Sequence, residues 1–303
     1  MATAREVKLR MRSVKNISQV TRALQAVSAS KVRRATQALL RSRPYATKSW
    51  QVLIHLANQP GRESLHPLLT ERPEVRNVVV LMTSGDRGLA GAYTTNIIRF
   101  TLHEFGQYPT PVRYVAVGRK GRDLLHRLGK PLLAEFTQIP DPARFIDVSP
   151  IGKVVLEEYL SGRADEIYLV YTSFINMLSQ VPTVKKLLPL DWRGEKVRVR
   201  DYEHSERSGP APAYIYEPGP EALLNELVPR FTSLQVYEAI LESQASEHAA
   251  RMVAMKNATD NASELADALQ LEYNKARQQS ITNEMLDIAG GAEALAQARN
   301  SKA

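Results

Sequence analysis

Residues 245–269 read "ASEHAARMVAMKNATDNASELADAL", with no glycine, no proline and alanines where a bundle helix would carry leucines. Such a stretch favours helix strongly, since alanine is the best helix former. It offers a partner little apolar bulk. From Pro220 to Ala289 the chain holds no glycine, and Pro229 is the only internal proline. A helix of roughly 70–80 residues would be about 105–120 Å long. Nothing of that length stays inside one domain, so it needs a companion helix.

The other end of the chain offers one. Residues 3–43 carry Val7, Met11, Val14, Ile17, Val20, Leu24, Val27 and Val32, mostly three and four apart, the spacing of a helix stripe close to a heptad seam. Pro44 is expected to kink or interrupt this helix, with 47–58 as its continuation. Residues 1–50 hold twelve Lys/Arg against one acid, Glu6, whereas residues 221–303 hold seven Lys/Arg against twelve Asp/Glu. The two ends are oppositely charged, which suits helices that lie together. Ala245, Ala249, Ala250, Ala254, Ala258, Ala262, Ala266 and Ala268, with Ala23, Ala26, Ser28, Ala29 and Ser30 opposite, would let the two backbones approach closely. The expectation is an antiparallel coiled coil of residues 1–58 and 220–303. The C-terminal arm is the longer. Its last part, about 275–300, carries Ile281, Met285, Leu286 and Ile288 with no chain left to cover them, so an external sleeve is implied.

Between the arms the period changes. Strands are expected at 75–84, 112–118 and 166–174, and helices at 93–107, 122–129 and 151–162. This alternation implies a Rossmann-like α/β domain over 75–205 with a mostly parallel sheet. Residues 179–190 suit an edge strand or an antiparallel pair. The stretches 59–74 and 191–220 are polar and proline-containing, and read as connectors.

Composition narrows the chemistry. The chain has 303 residues, 44% apolar content, a formal net charge of +8 and no cysteine. Disulfides, thiolate catalysis and cysteine metal sites are therefore excluded. No apolar run approaches the roughly 18 residues of a membrane span. The N-terminus lacks the apolar core of a secretory signal; its arginines resemble a transit peptide, but the pattern runs on into the fold. "SGDRGLAGAY" (84–93) follows a strand and precedes a helix. Its glycines, Gly85, Gly88 and Gly91, are spaced GxxGxxG rather than GxGxxG, and no GK[ST] follows, which favours a tight structural turn over a nucleotide cradle. Glu104, near the position of a ribose-binding acid, falls on a helix. The six histidines show no metal-ligand spacing, and His248 reads as a surface or seam residue. No nucleophile motif is present. The basic run 31–43 lacks interleaved aromatics, so it suits an acidic partner face better than nucleic acid. A non-catalytic chain without cofactor or metal is expected; a dinucleotide-binding α/β enzyme with coiled-coil arms is the competing reading.

The residues from Ala245 to Leu295 closely resemble the C-terminal helix of the gamma subunits of F-type ATP synthases. "SVKNISQVTRALQAVSASKVRRA" (13–35) resembles that family's opening helix, and "SGDRGLAGAYTTNIIR" and "VGRKGRDLLHRLG" its central domain. The resemblance runs end to end. It implies a rotor shaft inside a hexamer of three alpha and three beta subunits. Its foot would stand beside the epsilon subunit and the membrane c ring, on the cytoplasmic side of a bacterial plasma membrane. The shaft would catalyse nothing. By the same resemblance, Arg277, Gln278 and Thr282, with Leu24 as the facing N-terminal position, would meet the beta-subunit catch loops. Tyr214, Tyr216 and Glu217 would face the c ring. Ala90 stands where many members carry cysteine, and the cysteine pair of the redox-regulated chloroplast subunits is missing.

Overall fold

The computed structural model describes residues 3–57, 66–191 and 219–300. The chain divides into two compact units, one of both chain ends, Met1–Val27 with Val253–Ala303, and one of Ser28–Met252.

Helix α1 runs Ala4–Ala57 and α5 runs Pro220–Asn300, both unbroken. Pro44 does not interrupt α1. It sits on the exposed side of the helix with Leu40 and Tyr45, so the carbonyl it leaves without an N–H partner faces water. The buried residues just beyond it, Ala46, Trp50, Leu53 and Leu56, hold the next turns in place. Pro44→Ala restores a hydrogen bond at an exposed position. It should stabilise the chain by about 1–2 kcal/mol in urea unfolding, the loss of chain stiffness in the unfolded state offsetting part of the gain. No change in the midpoint would show that the helix has already absorbed the proline.

In the unit of chain ends, α1 and α5 lie antiparallel. Ser18 Oγ is 3.3 Å from Ser263 Oγ, and Thr21 Oγ1 is 2.7 Å from Thr259 Oγ1, so numbers rise in one helix as they fall in the other. Each hydroxyl has one proton. In the Thr21–Thr259 pair one proton bonds across the seam, and the other bonds back to its own helix, at Ile17 O or Met255 O. The stripe expected above lies on the seam only in part: Val7 is buried and Met11, Val14 and Leu24 are half-buried, and Thr21 is buried with them, whereas Ile17, Val20 and Val27 are exposed. Ala23, Ala26, Ser30 and Ala268 are exposed too. On α5 the buried positions are Met255, Thr259, Ala262 and Ala266, spaced four, three and four. Alanine and hydroxyl side chains on both helices allow the close approach, but the small residues that provide it are only partly those expected.

In the second unit five strands form one sheet in the order β3-β2-β1-β4-β5. They are β1 Val78–Thr83, β2 Val112–Val117, β3 Leu132–Phe136, β4 Glu166–Phe174 and β5 Gln180–Leu188. The first four run parallel and β5 is antiparallel to β4 at one edge. The sequence reading missed β3, a five-residue edge strand whose residues are only half-buried or exposed and which carries no long β-branched run.

Both faces of the sheet are covered, so central β1 is buried at all six positions. Val78, Val80 and Met82 pack with Ile97, Ile98 and Phe105 of α2 (Tyr93–Phe105) and Leu125 of α3 (Arg119–Arg127). Val79 and Leu81 face a larger core built from α4 (Phe145–Leu160) and from the parts of α1 and α5 in this unit. α4 begins six residues before the expected 151. Arg144 and Asp147 bond each other's ends of its first turn, and Pro150 lies within the helix without stopping it. At Gly152 a side chain would meet Ser233 Oγ at 2.7 Å, so glycine sets the α4–α5 approach. Trp50 of α1 stacks on Phe231 of α5, ring centroids 5.3 Å apart. Ser42 Oγ donates to Glu238 Oε1 at 3.1 Å. The two helices are therefore antiparallel here as well.

Candidate functional site

A doubly wound sheet offers a ligand crevice outside the carboxyl ends of its strands, where strand order reverses. In this chain that point lies between β1 and β4, and α5 fills it. Ser243 Oγ is 2.7 Å from Thr83 Oγ1, at the end of β1, and accepts from Thr172 N of β4 at 3.3 Å. Ser246 Oγ donates to Thr172 O at 3.1 Å, Phe174 N donates to Glu242 Oε2 at 3.3 Å, and the Tyr93 hydroxyl donates to Ser243 O at 3.2 Å. Burial, and then the nearby Glu247 charge, push the Tyr93 phenol well above its ordinary range.

The glycine loop 84–92 is occupied in the same way. A side chain at Gly85 would meet Glu247 Cδ at 2.9 Å, so this glycine admits α5 rather than a phosphate. Asp86 supplies the loop's own anion. Its Oδ1 accepts from Arg119 N at the start of α3 at 2.8 Å, and its Oδ2 accepts from Gln138 N at 2.9 Å. Arg251 of α5 donates to Gly88 O at 3.3–3.4 Å. The structural-turn reading fits this geometry. The purified chain should show no saturable micromolar binding of ATP or NAD by calorimetry. Binding that Gly88→Val abolishes would instead mark the loop as a nucleotide site.

His248 is neither on the surface nor a simple seam residue. Its side chain is 7% exposed and its Nε2 lies 2.6 Å from Asp141 Oδ2. A guanidinium can only donate, so His248 Nδ1 accepts from Arg251 Nη1 at 3.0 Å and Nε2–H donates to Asp141. Lys31 Nζ of α1 reaches the same carboxylate oxygen at 2.9 Å. Burial alone would raise the Asp141 pKa, but hydrogen bonds from His248 and Lys31 outweigh it and hold the carboxyl at about 2, below its ordinary 3.8. A depressed carboxyl pKa contributes stability above the ordinary value and loses it as pH falls through the folded one. Asp141→Asn should therefore flatten the acid loss of stability between pH 3.8 and about 2. An unchanged acid profile would show that the pair contributes nothing.

The other candidate residues lie on the unit of chain ends. Extending the Thr21–Thr259 register, the first residue of α1 falls opposite about residue 276 of α5. Burial agrees: Ala276 is half-covered, and 277–292 are exposed throughout. Arg277, Gln278 and Thr282 stand just past the end of α1. The Thr282 hydroxyl donates to Gln278 O at 3.0 Å, one turn back, and keeps its acceptor side open. Leu24 is half-buried and falls opposite about residue 256 in this register, roughly 30 Å along the helix from Arg277. The structure therefore does not bring Leu24 to the Arg277 patch. Tyr214, Tyr216 and Glu217 lie outside the described residues. Of the basic run, Arg33, Arg34 and Arg41 are exposed, while Lys31 is spent on Asp141.

Sequence reasoning missed Ser243, Gln244, Ser246 and His248 as a group. The signal was present: "ESQASEH" puts polar side chains on every face of a helix that packs apolar residues on either side of it, and buried polar groups need partners.

The family model described as ATP synthase matches residues 3–295. The ATP synthase gamma chain of Roseiflexus sp. strain RS-1 is 45% identical over 301 residues, covering 98% of this chain and all of that one. That of Dehalococcoides mccartyi strain CBDB1 is 44% identical over 297 residues, with 98% and 100% covered. Among solved structures, the central stalk and c-ring assembly of Tetrahymena thermophila mitochondrial ATP synthase has a chain with TM-score 0.60 and 26% identity, covering 79% of this chain and 99% of that one. A chain of the Euglena gracilis mitochondrial ATP synthase reaches TM-score 0.66 at 21% identity, covering 96% and 94%, a likeness of fold.

Proposed function

Because this chain belongs to the gamma-chain family of ATP synthase, a non-catalytic stalk subunit, we propose that it is the central rotor shaft of a proton-translocating F-type enzyme. It couples rotation of the membrane c ring to changes of nucleotide state in the beta subunits. Its partners are three alpha and three beta subunits around the helices, with the epsilon subunit and the c ring at the foot. The reading assigns residues 1–58 and 220–303 to the shaft and 75–205 to the foot domain. Arg277, Gln278 and Thr282, with Leu24 lower on the shaft, are the residues assigned to the contact with the beta-subunit catch loops. Tyr214, Tyr216 and Glu217 face the c ring. The chain sits peripherally, on the cytoplasmic side of a bacterial plasma membrane; no helix among its described residues is long and apolar enough to cross one.

The observation that carries this reading is the end of α5. About 24 residues, roughly 36 Å of helix, run past α1 with Ile281, Met285, Leu286 and Ile288 exposed. An unaccompanied helix with apolar side chains in water is marginal and calls for an enclosing partner. The dinucleotide-enzyme reading leaves that end unexplained and requires a crevice that α5 occupies.

Vesicles holding the c ring and the assembled alpha, beta and epsilon subunits test it. With this chain present, ATP should acidify the vesicle interior. ATP hydrolysis without acidification, in complexes proven to contain the chain, would remove the coupling role.

A further inference from the structure

Four residues between β3 and α4 collect bonds from two helices. Asp141 Oδ2 accepts from Lys31 Nζ of α1 at 2.9 Å and from His248 Nε2 of α5 at 2.6 Å. Gln244 of α5 accepts from Ala143 N at 3.1 Å and donates to Pro140 O at 2.9 Å. The Tyr237 hydroxyl, about two turns earlier on α5, donates to Ala143 O at 3.4 Å. Behind His248, Arg251 carries the connection to the loop 84–92 through Gly88 O. The Asp141 and His248 side chains are 20% and 7% exposed, so the bond between them is largely withdrawn from water.

We infer that residues 140–143, pinned by Asp141, form a coupling that passes torque between the α/β layers and both helices of the α1–α5 pair, with Asp141 as a positioning residue. This rests on the shaft reading above. Elsewhere in this region α5 buries Ala239, Ile240, Leu241, Ala245 and Ala249 and bonds the sheet directly through Glu242, Ser243 and Ser246, whereas Asp141 takes α1 and α5 onto one carboxylate oxygen. Apolar burial is non-directional; it resists separation of two surfaces more than sliding between them. Hydrogen bonds are directional, and those to a charged group are roughly twice as strong as neutral ones. One carboxylate that holds α1 and α5 to the same loop resists the sliding that a torque would impose. The Rossmann-like layers then act as a mount clamped to the helices.

The test uses the assembled enzyme in vesicles, measuring ATP hydrolysis and ATP-driven proton uptake in one preparation. Asp141→Ala should lower protons moved per ATP by about fivefold, within the range of measured coupling energies, while hydrolysis persists. Asp141→Asn, which keeps the shape and loses the charge, should fall between this and wild type and covers the case that the alanine variant fails to fold. His248→Gln offers the same acceptor to Arg251 and the same donor to Asp141, so it should keep the wild-type ratio, whereas His248→Ala should not. Both Asp141 variants pumping normally per ATP would overturn the inference. So would losses that merely track the amount of chain assembled, since that is a stability effect. If the wild-type chain itself drives no pumping, the shaft reading fails first and the coupling falls with it.

Discussion

A chain carrying Arg277→Ala, Gln278→Ala and Thr282→Ala will keep its helicity and its melting behaviour, yet will lose coupling in the assembled complex. Both halves follow from position. All three side chains are exposed past the end of α1, so within the chain their removal costs only what surface substitutions cost, within about 0.5 kcal/mol. In the complex the patch presents a fixed cation, an amide and a hydroxyl acceptor to whatever encloses it. Gln278 and Thr282 share a helix face and Arg277 flanks it. A hydrogen bond involving a charged group contributes about 1.5–3 kcal/mol, so ATPase cooperativity or proton pumping should drop by about tenfold or more. A shaft without rotational symmetry can offer the patch to one of three surrounding loops at a time, so the effect should appear in the cycle rather than in assembly. Wild-type assembly, hydrolysis and pumping in the triple variant would leave these as ordinary solvated residues.

Phe231→Ala should give the largest stability loss of the substitutions considered, about 3–5 kcal/mol in equilibrium unfolding of the isolated chain. Phe231 is 1% exposed and stacks on Trp50, so truncation opens a cavity in the contact between α1 and α5. The surrounding residues, Leu53, Val228 and Leu234, are fixed by their own packing and cannot all collapse into the space. Leu286→Ala serves as its counterpart. Leu286 is exposed, and its loss in the isolated chain should stay within about 0.5 kcal/mol. A loss below about 1 kcal/mol for Phe231→Ala would mean the helix pair repacks freely. A large loss for Leu286→Ala would mean that the end of α5 has a partner even in the isolated chain.

The two long helices were legible because glycine and proline are so scarce over 220–289 and because the 3–43 stripe is strongly periodic. The position of the seam was legible only in part: Val7, Met11, Val14 and Leu24 of that stripe are buried or half-buried. Ile17, Val20 and Val27 dominate a hydropathy pattern, yet they are exposed, while Thr21 and Ser28 occupy the buried line beside them. A seam built from alanine and hydroxyl side chains is nearly silent in hydropathy, and its identity depends on which partner groups meet across it. β4 was legible because nine residues rich in β-branched and aromatic side chains stand together; β3 was not, being short and only half-covered. α4 starts earlier than the expected 151, with Pro150 lying within the helix and Arg144 and Asp147 securing its first turn. The glycine loop was read as a turn on spacing alone, but the reason for it, Glu247 and Arg251 arriving from more than 150 residues away, lies in tertiary contact. The Asp141–His248–Lys31 group was invisible for the same reason: three residues separated by over 100 positions each become one site only once the helices are laid on the sheet.

A rotor shaft must turn inside its assembly. This chain contains no cysteine, so a single one introduced at exposed Lys153 gives a unique attachment point for a visible probe. With the alpha and beta subunits immobilised and ATP supplied, the probe should rotate in one direction, pausing at thirds of a turn. A complex that contains the labelled chain and hydrolyses ATP while the probe stays still would contradict the shaft reading.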